Sequence, residues 1–252
     1  MSLLTRTRQA IKATLGFCFP GLCAACNEPC EGAASLCPAC SSTLDTLVTS
    51  PLCDRCSFPL GYHRAPCPRC SGKGVRPFDY LIAMGLYEPP LSSLVIAVKY
   101  RKAWEWATAL TDRLIATGRL DPLKRDGALL VPVPLHPLRH FTRGYNQAEL
   151  IAAHLSKNLK IQSGKPLLRI RQTPSQTIVQ SRAKRLENLK GAFALETARS
   201  VRNRHVILVD DVTTTGATLR AAATALRVGR PRSISACVLA IADPKGRSFE
   251  QI

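Results

Sequence analysis

The sequence predicts an α/β fold, in which helices cover both faces of a mostly parallel sheet and a small cysteine-rich module comes first. Three observations support this prediction. The apolar run Val206–Val209 has the pattern of a strand that is buried on both faces. Other apolar strand patterns alternate with helical ones between residues 79 and 241. Ahead of residue 72, eight cysteines stand in four C-x-x-C pairs, a spacing typical of metal sites.

The four C-x-x-C pairs form an internal repeat, because each cysteine of the first two pairs recurs 30 residues later. Two such pairs complete a tetrahedral Zn²⁺ site, so we expect a double zinc ribbon over residues 18–72 with two structural Zn²⁺ ions. The predicted ligand sets are Cys23, Cys26, Cys37 and Cys40, and Cys53, Cys56, Cys67 and Cys70. A crossed arrangement, in which the first and third pairs share a metal, stays open. Disulfides are disfavoured, because no secretion signal indicates an oxidising compartment.

The second predicted domain covers residues 78–243, with Pro77 and Phe78 at its boundary. Apolar patterns predict strands over 79–87, 128–133, 206–209 and 233–241 and helices over 89–100, 104–117, 146–159 and 217–228. The segment with Arg139, His140, Arg143 and Gly144 is predicted to be a loop. Residues 164–192 are polar and basic, with a short helix expected near 181–189.

The stretch from Val206 to Thr218 carries most of the chemical information. Asp210 and Asp211 follow the apolar strand, and a loop of small hydroxyl residues comes next: Thr213, Thr214, Thr215, Gly216, Ala217 and Thr218. Small residues at a helix N-terminus favour a bound phosphate. The carboxylates repel a phosphate, so they are expected to hold hydroxyls or a hydrated metal ion. A ligand that combines these features is a sugar phosphate. The alternative is a buried strand with a threonine-rich turn that caps a helix.

Two other segments have the composition of anion-binding sites. The first joins Val131–Pro137 to Arg143–Gln147 at a strand end, where a pyrophosphate would need fixed donors; the alternative is a proline-stiffened loop with a surface arginine. The second runs from Arg171 through Arg182 and Arg185 and is a candidate lid over a bound anion. Its alternative is a solvated helix and loop.

The charge distribution favours polyanionic ligands. The formal net charge is +18, and residues 136–205 hold 14 Lys and Arg against 3 Asp and Glu. Such a field attracts a compound such as phosphoribosyl pyrophosphate (PRPP) or a nucleic-acid backbone. No apolar run approaches the ~18 residues of a membrane span. Residues 1–19 are expected to form a short amphipathic helix rather than a targeting peptide, which favours a cytoplasmic location.

The strand, acidic pair and threonine-rich loop resemble the signature of type I phosphoribosyltransferases. That resemblance implies that Asp210 and Asp211 hold the ribose 2- and 3-hydroxyls of PRPP and act in catalysis, and that Thr213–Thr218 bind its 5-phosphate. With the cysteine pairs, the Lys99–Tyr100 pair, the Pro-Val-Pro strand end and Arg143–Gln147, the chain resembles the ComF family of predicted phosphoribosyltransferases. The family is linked to DNA uptake in competent bacteria. The resemblance covers roughly residues 17–243.

The resemblance implies an enzyme that transfers phosphoribosyl from PRPP to an unknown acceptor and releases pyrophosphate, with Mg²⁺ bound beside PRPP. Lys99 and Arg143 would neutralise the leaving pyrophosphate, and Arg171, Arg182 and Arg185 would form the lid. Two alternatives stay open: a single-stranded-DNA-binding component of an uptake machine, and a PRPP sensor without turnover. For either role a competence helicase or other uptake proteins are the expected partners.

Overall fold

The computed structural model describes residues 21–30, 35–61, 66–171 and 188–242. In chain order its strands are β1 (Gly21–Leu22), β2 (Pro29–Cys30), β3 (Leu81–Leu86), β4 (Ala128–Pro132), β5 (Gln162–Ser163), β6 (Leu167–Arg169), β7 (Phe193–Leu195), β8 (His205–Thr213) and β9 (Ser233–Ile241). The helices are α1 (Pro38–Thr49), α2 (Leu91–Tyr100), α3 (Glu105–Ala116), α4 (Pro137–Arg143), α5 (Gln147–Leu159) and α6 (Ala217–Arg227). None of the helices in these ranges is long and apolar enough to cross a membrane.

The central sheet has five strands in the order β3-β9-β8-β4-β5, and all its pairings are parallel. The chain leaves β4 through α5 toward one edge of the sheet, and it leaves β8 through α6 toward the other. The connections therefore diverge from two adjacent strands. In an open α/β sheet this point opens a crevice at the carboxyl ends of the strands, where ligands bind.

Helices or a ribbon cover both faces of the sheet, as the sequence predicts. On one face α2, α3 and α5 pack against side chains that include Ile207 and Val209. On the other face α6 and the antiparallel β6–β7 ribbon pack against side chains that include Val206 and Leu208. Because successive strand residues point to opposite faces, a strand covered on both sides must be apolar throughout. This explains the unbroken apolar run that begins β8.

The cysteine-rich module covers the edge strand β3. The Ser57 hydroxyl donates to the carbonyl of Leu81 at 3.0 Å and accepts from the N–H of Ala83 at 2.8 Å. The N–H of Leu81 also donates to the carbonyl of Arg55 at 2.9 Å. An uncovered edge strand invites pairing with another chain, so this contact protects the sheet as well as fixing the module.

Helix α1 of the module also enters the main core. Leu44 and Val48 are buried in the same cluster as α2 and α3. The approach of α1 to β3 is so close that a Cβ at Gly85 would lie 1.9 Å from Leu47 Cδ2. Any larger residue at position 85 would require the Leu47 side chain to move. The two predicted domains are thus in direct contact, and their predicted bounds, 18–72 and 78–243, stay predictions.

Three details differ from the sequence prediction. Part of the predicted loop is helix α4, which starts at Pro137, a residue suited to a first helical turn. The predicted basic stretch, residues 164–192, contains strand β6, which pairs with β7 just beyond the stretch, whereas residues 172–187 lie outside the described residues. Strand β8 continues to Thr213, because its pairing with β9 extends to Ile241. Asp210 and Asp211 therefore lie within the strand rather than after it.

Candidate functional site

A cavity of about 260 Å³ lies at the carboxyl ends of β4 and β8. It is therefore located where the strand order diverges. Four parts of the chain form most of its walls: the end of β8 with the loop into α6, the segment after β4 with the start of α5, the last turn of α2, and β6. Tyr87 and Ala242, which directly follow β3 and β9, complete the lining. Its polar and charged lining residues are Tyr87, Lys99, Tyr100, Asn146, Gln147, Arg169, Asp210, Asp211, Thr213, Thr214 and Thr218.

The acidic pair lies at the centre of this cavity. Asp210 Oδ1 accepts the N–H of Asp211 at 2.9 Å, and Asp211 Oδ1 accepts the N–H of Val212 at 2.6 Å. Because neighbours on a strand point to opposite faces, the two carboxylates approach the cavity from different sides. Burial and the charge of Asp211 raise the pKa of Asp210 to about 7. The pair is thus an electrostatically strained site that a cation or hydroxyl donors would relieve.

Lys99, in the last turn of α2, pairs with one member of the acidic pair. Its Nζ lies 3.0 Å from Asp211 Oδ1. Burial alone would lower the pKa of Lys99, but the charges of Asp211 and Asp210 outweigh burial and raise it. The lysine is therefore a full cation. The sequence predicts Lys99 at a pyrophosphate, whereas in this structure its direct partner is Asp211.

The loop from Thr213 to Thr218 forms an anion cradle. Gly216 precedes α6 with φ 72°, a left-handed conformation that favours glycine. No side chain caps the first turn of α6 from that position, and Thr215 Oγ1 accepts the N–H of Ala217 at 3.4 Å. The first N–H groups of a helix carry partial positive charge and bind phosphates readily. The predicted phosphate loop therefore has a suitable geometry.

The opposite wall contains a second helix N-terminus, that of α5. Asn146 caps it, because its Oδ1 accepts the N–H of Ala148 at 3.1 Å. The Asn146 Nδ2 also donates to the carbonyl of Val133 at 3.0 Å and so holds the segment after β4. The Tyr145 hydroxyl donates to the carbonyl of Val98 in α2. Tyr145 and Asn146 thus join the segment after β4 and the start of α5 to helix α2. The side-chain amide of the next residue, Gln147, is buried at the cavity wall.

The eight cysteines form two separate clusters, in each of which the ligand sulfurs lie within 4.8 Å of one another. Cys23, Cys26, Cys37 and Cys40 make the first cluster, and Cys53, Cys56, Cys67 and Cys70 make the second. Measured Sγ–Sγ distances are 3.8 Å for Cys26–Cys37, 3.6 Å for Cys53–Cys70 and 3.7 Å for Cys56–Cys67. Four sulfurs around a tetrahedral zinc, each at about 2.3 Å, lie about 3.8 Å apart. The donors therefore fit Zn²⁺, the sequential arrangement is confirmed, and the crossed arrangement is wrong.

Comparisons with known proteins agree with this geometry. The double zinc ribbon domain family matches residues 14–71, and the phosphoribosyl transferase domain family matches residues 145–251. The DNA utilization protein YhgH of Escherichia coli K12 is 37% identical over 206 residues, which are 79% of this chain and 88% of the relative. Competence protein ComFC of Bacillus subtilis is 31% identical and covers 81% of this chain and 83% of the relative. The chain belongs to the ComF family of phosphoribosyltransferase-like proteins.

Two further matches were found. Competence protein F of Haemophilus influenzae is 33% identical over 195 residues, 75% of this chain and 83% of the relative. Among solved structures, the glutamine PRPP amidotransferase from B. subtilis is similar over 44% of this chain and 22% of its own length. That match has a TM-score of 0.31 and 20% identity.

The structure brings together some of the predicted ComF site residues and not others. Asp210, Asp211, Lys99 and the loop 213–218 line one cavity, except that Thr215 is buried and does not line it. Arg171 is exposed and donates to the carbonyl of Lys190 at 2.7 Å, away from the cavity lining. Arg143 ends α4. Arg182 and Arg185 lie outside the described residues, so the proposed lid stays a prediction.

Sequence reasoning missed Arg169. It lies buried on β6, lines the cavity and stacks on Phe193, with its guanidinium carbon 5.4 Å from the ring centre. The positive charge of Arg169 also acts on Asp210. In the sequence Arg169 is one of many cations in a basic stretch. The signal available was the short apolar run Leu167–Leu168 just before it, which indicates a strand.

The two zinc sites are expected to differ in stability. Cys26 is exposed and Cys37 and Cys40 are half-buried, whereas all four cysteines of the second cluster are buried. Protein purified without chelator should contain two zinc ions per chain by elemental analysis. A chelator should then remove one ion quickly and the second slowly, because it reaches the first cluster more easily. Loss of both ions at one rate, or a ratio near one, would contradict this assignment.

Single-cysteine variants separate the two sites. Cys37→Ser should remove one zinc and lower the melting temperature of the C-terminal domain moderately, because Cys37 caps α1 and α1 contributes Leu44 and Val48 to that core. Cys56→Ser should remove the other zinc and lower that melting temperature further, since the second ribbon is bonded to β3 through Ser57 and Arg55. Elemental analysis and calorimetry of the two variants check this difference.

The raised pKa of Asp210 predicts a pH-dependent effect of its removal. The folded protein holds the Asp210 proton up to about pH 7, whereas an unfolded aspartate releases it near pH ~3.9. Ionisation of Asp210 therefore lowers stability progressively as pH rises through this interval. Without ligand, Asp210→Asn should raise the melting temperature, and by more at pH 8 than at pH 5. The control is Asp126→Asn, which removes the charge of an exposed carboxylate outside the cavity.

Proposed function

We propose that this ComF-family protein binds PRPP with Mg²⁺ in the β4–β8 cavity and transfers its phosphoribosyl group to an acceptor, releasing pyrophosphate. One observation supports this most directly. A single cavity contains an anion cradle at the start of α6, an acidic pair on β8 and a second helix N-terminus at α5. PRPP has a phosphate at one end, a ribose in the middle and a pyrophosphate on the anomeric carbon, which matches that order.

Each part of PRPP has a chemically suited counterpart. The 5-phosphate suits the loop Thr213–Thr218, whose backbone N–H groups and helix dipole favour an anion. The ribose hydroxyls suit Asp210 and Asp211, because carboxylates accept hydrogen bonds from hydroxyls. The pyrophosphate suits the wall formed by Val133–Leu135 and the start of α5, the side on which Lys99 is also found.

The donor set also fits Mg²⁺, a hard cation that prefers carboxylate and phosphate oxygens. Asp210 and Asp211 would hold it together with oxygens of PRPP, and it would supply charge neutralisation to the leaving group. The raised pKa of Asp210 is consistent with this, because it is caused by burial and by the charge of Asp211, and a cation beside the pair would offset both.

Catalysis in this proposal is electrostatic. As the bond from the anomeric carbon to pyrophosphate breaks, positive charge grows on the ribose and negative charge on the leaving group. The carboxylates of Asp210 and Asp211 stabilise the first, and Lys99 and the α5 N-terminus stabilise the second. The walls of the cavity fix the reacting groups and so remove much of the entropic barrier. The β6–β7 ribbon with Arg169 forms the remaining wall and is the place proposed for the acceptor.

Titration calorimetry with PRPP and Mg²⁺ tests the binding step. The protein should bind PRPP, and the folded Asp210→Asn, Asp211→Asn double variant should bind it at least about tenfold more weakly, since each hydrogen bond to a charged group contributes about 1.5–3 kcal/mol. Asp126→Asn with Asp121→Asn is the control, because both side chains are exposed and lie outside the cavity. Equal PRPP affinity of wild type and the site variant would contradict the proposal.

Release of pyrophosphate separates turnover from sensing. An enzyme should release it when PRPP, Mg²⁺ and the correct acceptor are present, and a panel of nucleobases, amines and nucleic-acid fragments is the first set of acceptors to test. PRPP binding without release across such a panel would favour the sensor alternative.

A second candidate function is binding of single-stranded DNA, in line with relatives that are named for DNA utilization and competence. Among the described residues, three large aromatic side chains are exposed: Tyr100 at the cavity, Trp104 close to it in sequence, and Phe141 on α4, which is 90% exposed. Arg101 and Lys102 stand between the first two. Exposed aromatics beside cations are typical of surfaces on which unpaired bases stack.

The DNA hypothesis predicts aromatic dependence at physiological salt. Fluorescence anisotropy with a labelled oligonucleotide at about 0.15 M salt should give binding tighter than the ~10⁻⁴ M of loose non-specific contacts. Trp104→Ala with Phe141→Ala should weaken it about tenfold, because each stacked base contributes about 1–3 kcal/mol. Binding that depends on salt but not on these aromatics would show only the attraction of a +18 protein for a polyanion.

A further inference from the structure

The ion pair between Lys99 and Asp211 occupies the acidic pair in the absence of ligand. Asp211 Oδ1 receives both the ammonium of Lys99, at 3.0 Å, and the N–H of Val212, at 2.6 Å. The lysine side chain is 21% exposed and the carboxylate only 9%. Both residues line the cavity, and the cation is the more accessible of the two.

The backbone that carries Lys99 is held in place independently of this ion pair. The carbonyl of the preceding residue, Val98, accepts the hydroxyl of Tyr145, and α2 is packed in the core through residues that include Leu94 and Val98. A lysine has four flexible methylene groups and a compact charge. Its ammonium can therefore leave Asp211 by side-chain rotation while α2 stays where it is.

A divalent cation and the Lys99 ammonium compete for the same carboxylate. Two positive charges a few ångströms apart repel each other, and repulsion is stronger in a partly buried site than in water. A cation that binds Asp211 must therefore displace Lys99, which then needs another anion. In the proposed complex the pyrophosphate group supplies it, since the last turn of α2 and the α5 N-terminus line the same cavity.

We propose that Lys99 is a transferable counter-ion, which holds Asp211 in the empty protein, keeps divalent cations out, and moves to the pyrophosphate when PRPP enters with its metal. This inference rests on the proposed PRPP function. It makes metal binding conditional on the anionic ligand. It also assigns Lys99 a positioning role in the empty site and a direct contact with the leaving group in the loaded one.

Mn²⁺ alone, without PRPP, is the probe for the first half of the proposal. Electron paramagnetic resonance on zinc-loaded full-length protein should show only weak binding of Mn²⁺ to the wild type. Lys99→Met should bind Mn²⁺ at least about tenfold more tightly, because one positive charge beside the carboxylates is gone. Lys99→Arg keeps the charge and should stay weak. Lys102→Met is the matched control, since it removes the charge of an exposed lysine three residues away.

Ligands that differ by one group test the second half. In the presence of Mg²⁺, Lys99→Met should weaken PRPP binding about tenfold and leave the affinity for ribose 5-phosphate unchanged, because ribose 5-phosphate has no pyrophosphate for the ammonium to meet. Equal losses for both ligands would overturn the transfer of Lys99 to the leaving group.

Wild-type protein alone can also refute the proposal, so the test does not depend on a variant that folds. If the empty wild type binds Mn²⁺ tightly and Asp210→Asn with Asp211→Asn abolishes that binding, Lys99 does not keep cations out. The same result in Lys99→Met and wild type would refute it as well. Failure of wild type to bind PRPP would refute the proposed function instead, and the two failures are therefore distinguishable.

Discussion

Two carboxylates on consecutive residues of a central strand are the constraint on which the rest of the site depends. Asp210 and Asp211 cannot both ionise cheaply at such close range in a partly buried cavity, and the pKa of Asp210, raised to about 7, is the direct consequence. The surroundings compensate in part: Lys99 pairs with Asp211, Arg169 acts on Asp210, and backbone N–H groups donate to both. The remaining repulsion between the two carboxylates would be relieved by a bound cation and by hydroxyl groups that donate to them.

The zinc ribbons contribute to this site from a distance. Strand β3 is the edge of the sheet that leads into α2, and the second ribbon covers it through Ser57 and Arg55. Helix α1 adds Leu44 and Val48 to the core beneath α2 and α3. Because Lys99 lies in the last turn of α2 and pairs with Asp211, the zinc module is linked to the acidic pair through β3, α1 and α2. A small module with few large apolar residues depends on metal to fold. The free energy of zinc binding therefore stabilises the module that holds β3 and α2 in place.

Much of this arrangement could be predicted from local sequence. Three features could be predicted because each depends only on residues that are close in the chain: the apolar run before Asp210, the small residues after it and the 30-residue cysteine repeat. The structure shows the corresponding strand β8 and the two cysteine clusters. The contacts that were missed depend on tertiary structure. Helix α4 exposes Leu138 and Phe141, so it has no apolar face for a helical pattern to reveal. Arg169 lines the cavity because β6 pairs with β7, which is distant from it in sequence. The neighbouring sequence does not distinguish Arg169 from the other cations of the basic stretch.

The partner of Lys99 that the family resemblance implies differs from the partner that the structure shows. The resemblance to the family implies that Lys99 lies near a pyrophosphate, whereas the structure places its ammonium 3.0 Å from Asp211 Oδ1. Both hold if one side chain serves two anions in turn, and a lysine suits that role better than arginine because its charge is compact and its stem flexible. An acidic pair with a permanent counter-ion would be stable but closed to metal. One without any counter-ion would be open to metal but strained. A movable cation reconciles a folded empty site with a loaded one.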